Sequence, residues 1–462
     1  MTAIARTFGG ESRVSFWDRR RTVAPADFNR FLVPPAALAV HLSIGQVYAF
    51  STFNLPLTRL LGLVHSAPAD WNLAEVGWIF SIAIFFLGAS AALCGRWVDA
   101  AGPRKAMAVA ALCFGGGLLV AALGVHWHEL WLLYLGYGAL GGCGLGIGYI
   151  SPVSTLIKWF PDRPGMATGL AIMGFGGGAM IAAPLSLILM REFGTATSNG
   201  VAGSFATMGI LYFAFMLIGA FVVRVPAAGW TPTGWRAPER PRRLVTTAQV
   251  SVGAATRSPQ FWLLWGVLCL NVTAGIAVLG QASPMIQEMF SGRVAPAAAA
   301  GFVGLLSLFN MGGRFFWATI SDYIGRKNTY FVFFVLGIAL YAAVPTIGNF
   351  GSIALFVGAF AVILSMYGGG FATIPAYLRD LFGTMHVGAI HGRLLTAWAV
   401  AGILGPVLID YIREFQIDRG VPKAQAYSVT MYVMCGLLLL GLICNALIRE
   451  VDQRHHHRES PG

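Results

Sequence analysis

Long apolar segments alternate with short polar connections along the whole chain of 462 residues. A helix needs about 20 mostly apolar residues to cross a lipid bilayer. Twelve segments meet this requirement, at residues 35–58, 75–95, 105–125, 130–152, 166–190, 203–223, 260–282, 297–320, 329–347, 352–375, 393–412 and 427–447. The pattern predicts an all-α membrane protein with twelve transmembrane helices.

The composition agrees with this prediction. Charged residues make up 11% of the chain and hydrophobic residues 56%, whereas a soluble protein has about 25% charged residues. So few charges cannot cover the surface of a soluble protein of this size, and lipid must surround most of it. Residues 1–34 lack the apolar core of a cleaved signal peptide, so we expect a cytoplasmic tail there.

The basic residues lie mostly on one side of the predicted membrane. Of the 31 Lys and Arg residues, 24 fall in the two tails and in the connections on the same side, and 6 fall in the other connections. Membrane proteins keep basic connections on the cytoplasmic side. We therefore expect both termini to be cytoplasmic, in a multi-pass protein of a bacterial cytoplasmic membrane whose environment is the lipid bilayer.

The longest polar segment divides the chain into two halves of six predicted helices each. It is rich in Pro and Arg, which is typical of a linker. The predicted organisation is a cytoplasmic tail at 1–34, a six-helix bundle at 35–223, a cytoplasmic linker at 224–259, a second six-helix bundle at 260–447 and a cytoplasmic tail at 448–462.

Each half repeats one local pattern after its second helix. Residues 95–105 read Gly-Arg-Trp-Val-Asp-Ala-Ala-Gly-Pro-Arg-Lys, and residues 318–327 read Ala-Thr-Ile-Ser-Asp-Tyr-Ile-Gly-Arg-Lys. The glycine permits a tight reversal, and the aspartate can accept hydrogen bonds from helix-terminal amides. An ordinary turn with basic residues is the alternative. We expect these loops to govern the balance between inward-facing and outward-facing states through Gly95, Asp99, Gly102, Arg104, Asp322, Gly325 and Arg326.

The repeated loop resembles the signature of the major facilitator superfamily, G-x-L-x-D-R-x-G-R-K. The first copy departs from it at Trp97, Ala100 and Pro103, and the second has Ala318 where glycine is usual. The resemblance implies the major facilitator fold, in which two six-helix bundles surround a central cavity and rock against each other to give alternating access.

A second resemblance is narrower. The sequence at 158–165, Lys-Trp-Phe-Pro-Asp-Arg-Pro-Gly, and the segments 367–371, 381–383 and 395–398 resemble the oxalate/formate antiporter family, which is similar in turn to the monocarboxylate transporters. The resemblance covers nearly all of the twelve helices. It implies a secondary transporter of small carboxylates, working as a proton symporter or an anion exchanger.

Arg314 is the one basic residue that falls well inside a predicted span. A charge near the bilayer centre costs roughly 2.5 to 3.5 kcal/mol, so its side chain must face protein or a water-filled cavity. An unpaired guanidinium can hold a carboxylate through two parallel hydrogen bonds. The alternative is an arginine that reaches the cytoplasmic surface. Asn310, one helical turn earlier, either orients Arg314 or makes an interhelical hydrogen bond.

The resemblance also raises a question about proton coupling. In monocarboxylate transporters an acidic residue stands four positions before the corresponding arginine, whereas here that position is Asn310. Coupling through a side-chain carboxylate at this position is therefore in doubt. His41 titrates in a suitable range and is a possible proton carrier, although a lone histidine near a helix end is more often structural.

Aromatic residues supply the other candidates for substrate contact. The resemblance places a substrate-contacting aromatic residue at Tyr48, and on the same grounds Tyr149 and Phe175 are candidates. Tyr367 and Phe371 share one helix face across three glycines, which indicate either a hinge beside the cavity or close helix packing.

Trp398 bears on the charge of the substrate. The oxalate-specific member of the family has a lysine in the helix that corresponds to 393–412, and no lysine occurs there in this chain. A cavity with one cation, Arg314, favours a monoanion such as lactate, pyruvate, formate or acetate. An oxalate/formate-type dicarboxylate exchanger and a carboxylate sensor that transports nothing remain alternatives.

No other chemistry is indicated by the sequence. The alternating glycines at 142–148 lie inside an apolar span with no strand before them, so they do not predict a nucleotide site. The cysteines are spaced too far apart for a zinc cage, and His126 and His128 in a short outer loop make a poor metal site. We expect no cofactor, no metal, no nucleotide or nucleic-acid partner and no enzymatic activity.

Overall fold

The computed structural model describes residues 15–25, 27–235, 244–246 and 248–456. The basic cluster at 236–243, which belongs to the predicted linker, and the two ends of the chain lie outside the described residues. Within the described part the chain is almost entirely helical, with one two-stranded hairpin of Gly194–Thr195 (β1) and Ser198–Asn199 (β2).

The helices of the first half form six membrane-crossing units. They are Val33–Ile44 (α1) continued by a 3₁₀ segment at Gly45–Ala49 and by Ser51–Leu57 (α2), then Leu73–Ala101 (α3), Pro103–Trp127 (α4), Leu130–Leu133 (α5) continued by a π-helical segment at Tyr134–Gly141 and by Gly142–Trp159 (α6), then Pro164–Glu192 (α7) and Val201–Val222 (α8).

The second half repeats this number of units. A short helix, Val252–Arg257 (α9), precedes Pro259–Met289 (α10), Pro296–Ile324 (α11), Arg326–Asn349 (α12), Ile353–Phe382 (α13), the pair Val387–Leu394 (α14) and Thr396–Asp418 (α15), and Ser428–Leu447 (α16). The predicted all-α fold of twelve spans in two six-helix bundles is thereby confirmed.

Eleven of these units, among the described residues, are long and apolar enough to cross a membrane. Helix α11 has 29 residues but is not one of the eleven. It carries Asn310 and Arg314, whose polar side chains lower its mean hydropathy. The helix that departs from the hydrophobic pattern is therefore the one that carries the predicted anion anchor.

The first span differs from the single continuous helix that the apolar pattern predicts. Helix α1 ends at Ile44, and the chain continues as a 3₁₀ segment before α2 begins. A Cβ atom on Gly45 would lie 2.3 Å from the carbonyl oxygen of Phe175, so α7 approaches the backbone itself at this point. A stretch of 3₁₀ structure inside a helix often marks a functional position, and this one carries Tyr48.

The predicted N-terminal tail packs against the cytoplasmic face from Ser15 onwards. Arg30 donates hydrogen bonds of 2.6 and 2.9 Å to the carboxylate of Asp162, which lies between α6 and α7. Partial burial opposes the charge on Asp162, but the hydrogen bonds from Arg30 outweigh this effect and hold the pKa of its carboxyl below the usual value. Val23 also pairs with Val225 in a parallel bridge, which ties the tail to the start of the linker.

Helix packing in the second half depends on close contact between α11 and α13. A Cβ atom on Gly313 would lie 2.1 Å from the carbonyl oxygen of Ser365, whereas a Cβ on its neighbour Gly312 would meet nothing within 4 Å. The two glycines are adjacent in one helix and differ in the space around them, so they form a matched pair.

We expect Gly313→Ala to destabilise the protein by about 1–3 kcal/mol, because the methyl group forces the two helices apart. Gly312→Ala, the control, should leave stability unchanged or slightly raised. Thermal unfolding of the detergent-solubilised variants, followed by size-exclusion chromatography after heating, measures both. Equal melting temperatures for the two variants would contradict this account of the α11–α13 contact.

Candidate functional site

Arg314 on α11 is fully buried. Its Nε atom donates a hydrogen bond of 3.2 Å to the side-chain oxygen of Asn310, one turn earlier on α11. Its two terminal nitrogens are also buried and make no well-oriented hydrogen bond among the described residues, although the hydroxyl groups of Tyr48 and Tyr149 lie close enough to interact with them. A buried guanidinium without partners is costly. The arrangement therefore leaves the outer fork of Arg314 free to bind an anion.

Two aromatic rings from opposite halves flank this guanidinium. Its central carbon lies 5.6 Å from the ring centre of Phe175 on α7 and 5.2 Å from that of Phe371 on α13. Trp398 on α15 completes the group, with its ring centre 4.5 Å from that of Phe371 and 5.5 Å from that of Phe175. Aromatic faces attract a cation within about 6 Å, so the rings hold the charge in place without neutralising it.

Three tyrosines surround the rings. The ring of Tyr48 lies 4.9 Å from that of Phe175, the ring of Tyr149 lies 5.5 Å from that of Phe175, and the ring of Tyr367 lies 5.3 Å from that of Phe371. All three tyrosines are within electrostatic range of the Arg314 guanidinium.

The polar tips of this cluster are hydrogen-bond donors without well-oriented partners. The hydroxyl groups of Tyr48, Tyr149 and Tyr367 and the indole nitrogen of Trp398 are buried and make no well-oriented hydrogen bond within the described part of the chain. The three hydroxyl groups lie close to one another or to the guanidinium. One positive charge beside four neutral donors is an environment suited to a small anion.

The structure thus brings all eight predicted substrate-contacting residues into one cluster, made of both halves. The first half supplies Tyr48, Tyr149 and Phe175, and the second supplies Asn310, Arg314, Tyr367, Phe371 and Trp398. Their participation in binding stays a prediction.

The glycines between Tyr367 and Phe371 serve close packing. Cβ atoms on Gly368, Gly369 and Gly370 would lie 2.1 Å from the carbonyl oxygen of Asn310, 2.6 Å from Cβ of Trp317 and 2.5 Å from the side-chain oxygen of Asn271. Helix α13 continues through them without a break. Of the two predicted alternatives the structure shows close packing, which brings α11 and its arginine against α13.

His41 is fully buried beside this cluster. Its Nδ1 atom lies 2.6 Å from the carbonyl oxygen of Ala171, and its Nε2 atom lies 3.2 Å from the carbonyl oxygen of Tyr149. The ring centres of His41 and Tyr149 are 5.4 Å apart. His41, the predicted proton carrier, therefore lies next to Tyr149, which belongs to the predicted binding site.

The sequence patterns do not identify one buried residue of this region, His391. His391 is buried, and its ring centre lies 5.8 Å from that of Tyr149. The apolar pattern places 376–392 in a cytoplasmic connection. In the structure, α14 extends the eleventh span toward the N-terminus, back to residue 387. The sequence does contain a signal for this longer span, because the apolar residues at 387, 390 and 394 share one helix face.

The second repeated loop joins the two halves on the cytoplasmic side. The carboxylate of Asp322 accepts hydrogen bonds of 2.9 and 2.8 Å from the backbone amides of Gly165 and Met166, at the first turn of α7. Arg326 donates to Asp322 at 2.6 Å and to Asp380 at 3.2 Å. The negative charge of Asp322 is thus placed where the positive end of the α7 dipole stabilises it.

The first repeated loop reaches the opposite half in a different way. The carboxylate of Asp99 accepts a hydrogen bond of 3.0 Å from the amide of Ala389 on α14, and Gly95 contacts the same residue. Arg104 points away from the aspartate and donates to the carbonyl oxygen of Phe16 at 3.1 Å, in the N-terminal segment. In both copies the aspartate therefore binds a backbone amide of the opposite half. The arginines differ, because Arg326 pairs with the aspartate of its own loop whereas Arg104 binds the N-terminal segment.

Gly102 and Gly325 end the second helix of each half in the same conformation. Their φ angles are +82° and +87°, which side chains with a Cβ atom rarely adopt. Both lie between helices separated by a single residue, so they form the sharp turns that the repeated pattern predicts. Among the described residues no group of His, Cys, Asp and Glu is arranged to hold a metal ion.

The two bundles and the two related cytoplasmic loops define a membrane transporter of the alternating-access type. The chain belongs to the Major Facilitator Superfamily, whose sequence profile matches residues 26–406. The predicted superfamily is confirmed, and since its members are transporters, the chain is a multi-pass transporter and not an enzyme.

Relatives of known name extend this result. The chain is 29% identical over 381 residues to the oxalate:formate antiporter of Oxalobacter formigenes, covering 81% of this chain and 82% of the relative. It is 25% identical over 447 residues to apicoplast pyruvate carrier 1 of Toxoplasma gondii, covering 85% and 78%. It is 24% identical over 382 residues to human monocarboxylate transporter 11, covering 79% and 75%. The predicted resemblance to the oxalate/formate antiporter family is confirmed.

Solved structures show the same fold at low sequence identity. A bacterial homologue of the iron transporter ferroportin in an outward-facing state superposes with a TM-score of 0.63 at 15% identity, covering 90% of this chain and 98% of that one. The proton:xylose symporter XylE superposes with a TM-score of 0.63 at 14% identity, covering 90% and 94%. These similarities concern the fold alone.

We predict that Asp322→Asn shifts the protein toward the inward-facing state, because the neutral side chain weakens the contact with the α7 amides. An effect of about 1 kcal/mol corresponds to about a fivefold change in the equilibrium. The readout is maleimide labelling of Ala389→Cys in a cysteine-free background, since Ala389 is buried where Asp99 contacts α14.

Asp162→Asn is the control for this experiment, because the Asp162 carboxylate pairs with Arg30 and does not bridge the halves. Its labelling rate should equal that of the parent. A rate that is unchanged in Asp322→Asn, or raised equally in both variants, would show that the Asp322 contact does not hold the cytoplasmic side closed.

Proposed function

We propose that the protein moves small carboxylates, chiefly monocarboxylates such as pyruvate, lactate or formate, across a bacterial cytoplasmic membrane by alternating access. The observation that carries this proposal is the buried fork of Arg314, whose two terminal nitrogens make no well-oriented hydrogen bond and no ion pair among the described residues. A carboxylate fits this fork through two parallel hydrogen bonds and neutralises its charge.

In this proposal each side chain of the cluster has a separate task. Asn310 holds the guanidinium through Nε and leaves both terminal nitrogens for the substrate. The hydroxyl groups of Tyr48, Tyr149 and Tyr367 donate to the remaining oxygen lone pairs. Because Tyr48 and Tyr149 belong to the first half and Arg314 to the second, the bound anion draws the two halves together.

Alternating access follows from the two sets of contacts. The bundles at 35–223 and 260–447, joined by the linker at 224–259, are the two bodies that rock around the bound anion. The contacts of Asp99 and Asp322 hold the cytoplasmic side closed in the present state. Release into the cytoplasm requires that both contacts break.

Charge matching favours a monoanion. Arg314 is the cation of the cluster within the described residues, since residues 393–412 contain no lysine and Trp398 supplies a neutral N–H group. The names of the pyruvate carrier and of monocarboxylate transporter 11 agree with this substrate class. The second candidate function is oxalate/formate exchange, which the name of the relative with 29% identity supports.

The test is uptake of labelled pyruvate into proteoliposomes that contain unlabelled pyruvate. Arg314→Ala should reduce uptake at sub-saturating pyruvate by about 10- to 100-fold, since hydrogen bonds to charged groups contribute about 1.5–3 kcal/mol. Arg314→Lys keeps the charge but loses the fork, and we expect a similar loss. Asn310→Ala should cause a smaller loss, because it frees the guanidinium without removing it.

Arg293→Ala is the matched control, since this arginine contacts the carbonyl oxygen of Gly351 in a loop outside the cluster. It should transport pyruvate as the parent protein does. Unchanged uptake by Arg314→Ala would place the binding site elsewhere. Competition by unlabelled oxalate that is stronger than competition by lactate or formate would favour the second candidate, and binding of pyruvate without any uptake would indicate a sensor.

A further inference from the structure

Three arginines come together at the cytoplasmic end of the first half. Arg104 lies in the first turn of α4, Arg224 follows the end of α8, and Arg21 belongs to a 3₁₀ segment of the N-terminal tail, Arg19–Thr22. Arg21 and Arg224 both act electrostatically on the guanidinium of Arg104. Because like charges repel, this three-arginine cluster favours a negative charge beside it.

Acidic side chains do not supply that charge through an ion pair. None of the three arginines takes part in a salt bridge among the described residues. Asp18 attracts Arg21, but its carboxylate is already held by Arg20, which donates to it through Nε at 3.2 Å and through a terminal nitrogen at 2.9 Å. Of the two adjacent arginines, Arg20 is therefore paired and Arg21 is not.

Arg104 is buried and its partners are neutral. Its relative exposure is 4%, and its Nε atom has no hydrogen-bond partner in the part of the chain that the structure describes. One terminal nitrogen donates to the carbonyl oxygen of Phe16, and the central carbon of the guanidinium lies 4.6 Å from the Phe16 ring centre. The ring attracts the cation but does not neutralise it. The charge of Arg104 is therefore incompletely compensated.

The three-arginine cluster lies at the boundary between the apolar spans and the cytoplasm. Helix α8 is apolar enough to cross the membrane and ends at Val222, two residues before Arg224. Phe221, exposed on this helix end, contacts the partly exposed rings of Phe16 and Trp17 at 5.8 and 6.2 Å between ring centres. Aromatic side chains of this kind concentrate where hydrocarbon meets water. The cluster is thus placed at the level of the lipid headgroups.

Exposed apolar side chains continue from this boundary along both helices. They include Phe215 and Ile218 on α8 and Leu112 on α4. The two helices are in close contact, since a Cβ atom on Gly115 of α4 would lie 2.7 Å from Cβ of Phe213 on α8. A lipid whose headgroup lies at the arginines therefore has apolar side chains beside its acyl chains.

We propose that the three-arginine cluster binds the phosphate group of one anionic phospholipid from the cytoplasmic leaflet. The phosphate lies against the exposed Arg21 and the half-buried Arg224, and its charge offsets that of Arg104 behind them. Arginine suits this ligand because its guanidinium can hold a phosphate through two parallel hydrogen bonds. Free phosphate offers the same charge but gains nothing from the aromatic and aliphatic side chains, so the ligand is the lipid.

The bound lipid also holds the N-terminal tail on the first repeated loop. Arg19, in the same 3₁₀ segment as Arg21, donates a hydrogen bond of 3.2 Å to the carbonyl oxygen of Asp99, and its side-chain carbons cover Gly102. A lipid that bridges Arg21 and Arg224 therefore links the tail, the loop and the end of α8. This site is independent of the substrate that the protein moves.

The experiment is native mass spectrometry of the detergent-purified protein with equal amounts of phosphatidylglycerol and phosphatidylcholine. The parent should retain one phosphatidylglycerol per chain in preference to phosphatidylcholine, whose ammonium group cancels the phosphate charge. Arg21→Gln and Arg224→Gln should each weaken phosphatidylglycerol binding about fivefold, the effect of one basic residue near an anionic lipid surface. Equal retention of the two lipids by the parent would overturn the proposal.

Arg20→Gln is the matched control. It removes the same charge from the adjacent position, but this arginine is exposed and already paired with Asp18. The variant should retain phosphatidylglycerol as the parent does. Equal losses in Arg20→Gln and Arg21→Gln would show a general attraction between the basic tail and anionic lipid, and would contradict a specific site.

A second measurement separates the lipid from free phosphate and shows that each variant is folded. Thermal unfolding is followed in detergent with phosphatidylglycerol or inorganic phosphate added at the same concentration. Phosphatidylglycerol should raise the melting temperature of the parent and of Arg20→Gln more than that of Arg21→Gln, and inorganic phosphate should not raise it. Equal stabilisation of the parent by phosphate and by the lipid would overturn the assignment to a phospholipid.

Discussion

The charge of Arg314 is the constraint on which the rest of the site depends. A guanidinium that is fully buried loses its hydration, and within the described residues the hydrogen bond of good geometry that it gains in return runs from Nε to Asn310. The rings of Phe175 and Phe371 attract the charge but leave it uncompensated. An interior of this kind is stable enough to fold and yet favours any small anion that reaches it.

The packing of the helices serves the position of this charge. The glycines of α13 bring its backbone against Asn310, and the 3₁₀ break after α1 places Tyr48 beside the ring of Phe175. At the cytoplasmic end, acidic side chains of each half bind amides of the other. The contacts that close the molecule and the contacts proposed to bind the anion are therefore both shared between the halves, which is the requirement for coupling binding to rocking.

Much of this could be predicted from the sequence, for identifiable reasons. Twelve apolar spans, the distribution of basic residues and the repeated loop are local patterns, and Arg314 stands out because a charge inside a span is rare. Other features depend on neighbours distant in the chain. The break at Gly45 follows from the approach of α7, the orientation of Arg104 follows from Phe16, and His391 gains its place only because α14 extends the eleventh span. A single sequence holds no direct sign of such contacts.

The central claim is that the free fork of Arg314 binds one carboxylate. Binding of labelled pyruvate to the purified protein, measured by scintillation proximity at equilibrium and without any membrane gradient, tests it most directly. The account predicts one saturable site per chain in the parent protein and its loss in Arg314→Lys, which retains the positive charge and the fold. Equal affinity in the two proteins would show that the fork does not bind the substrate, and would contradict the account.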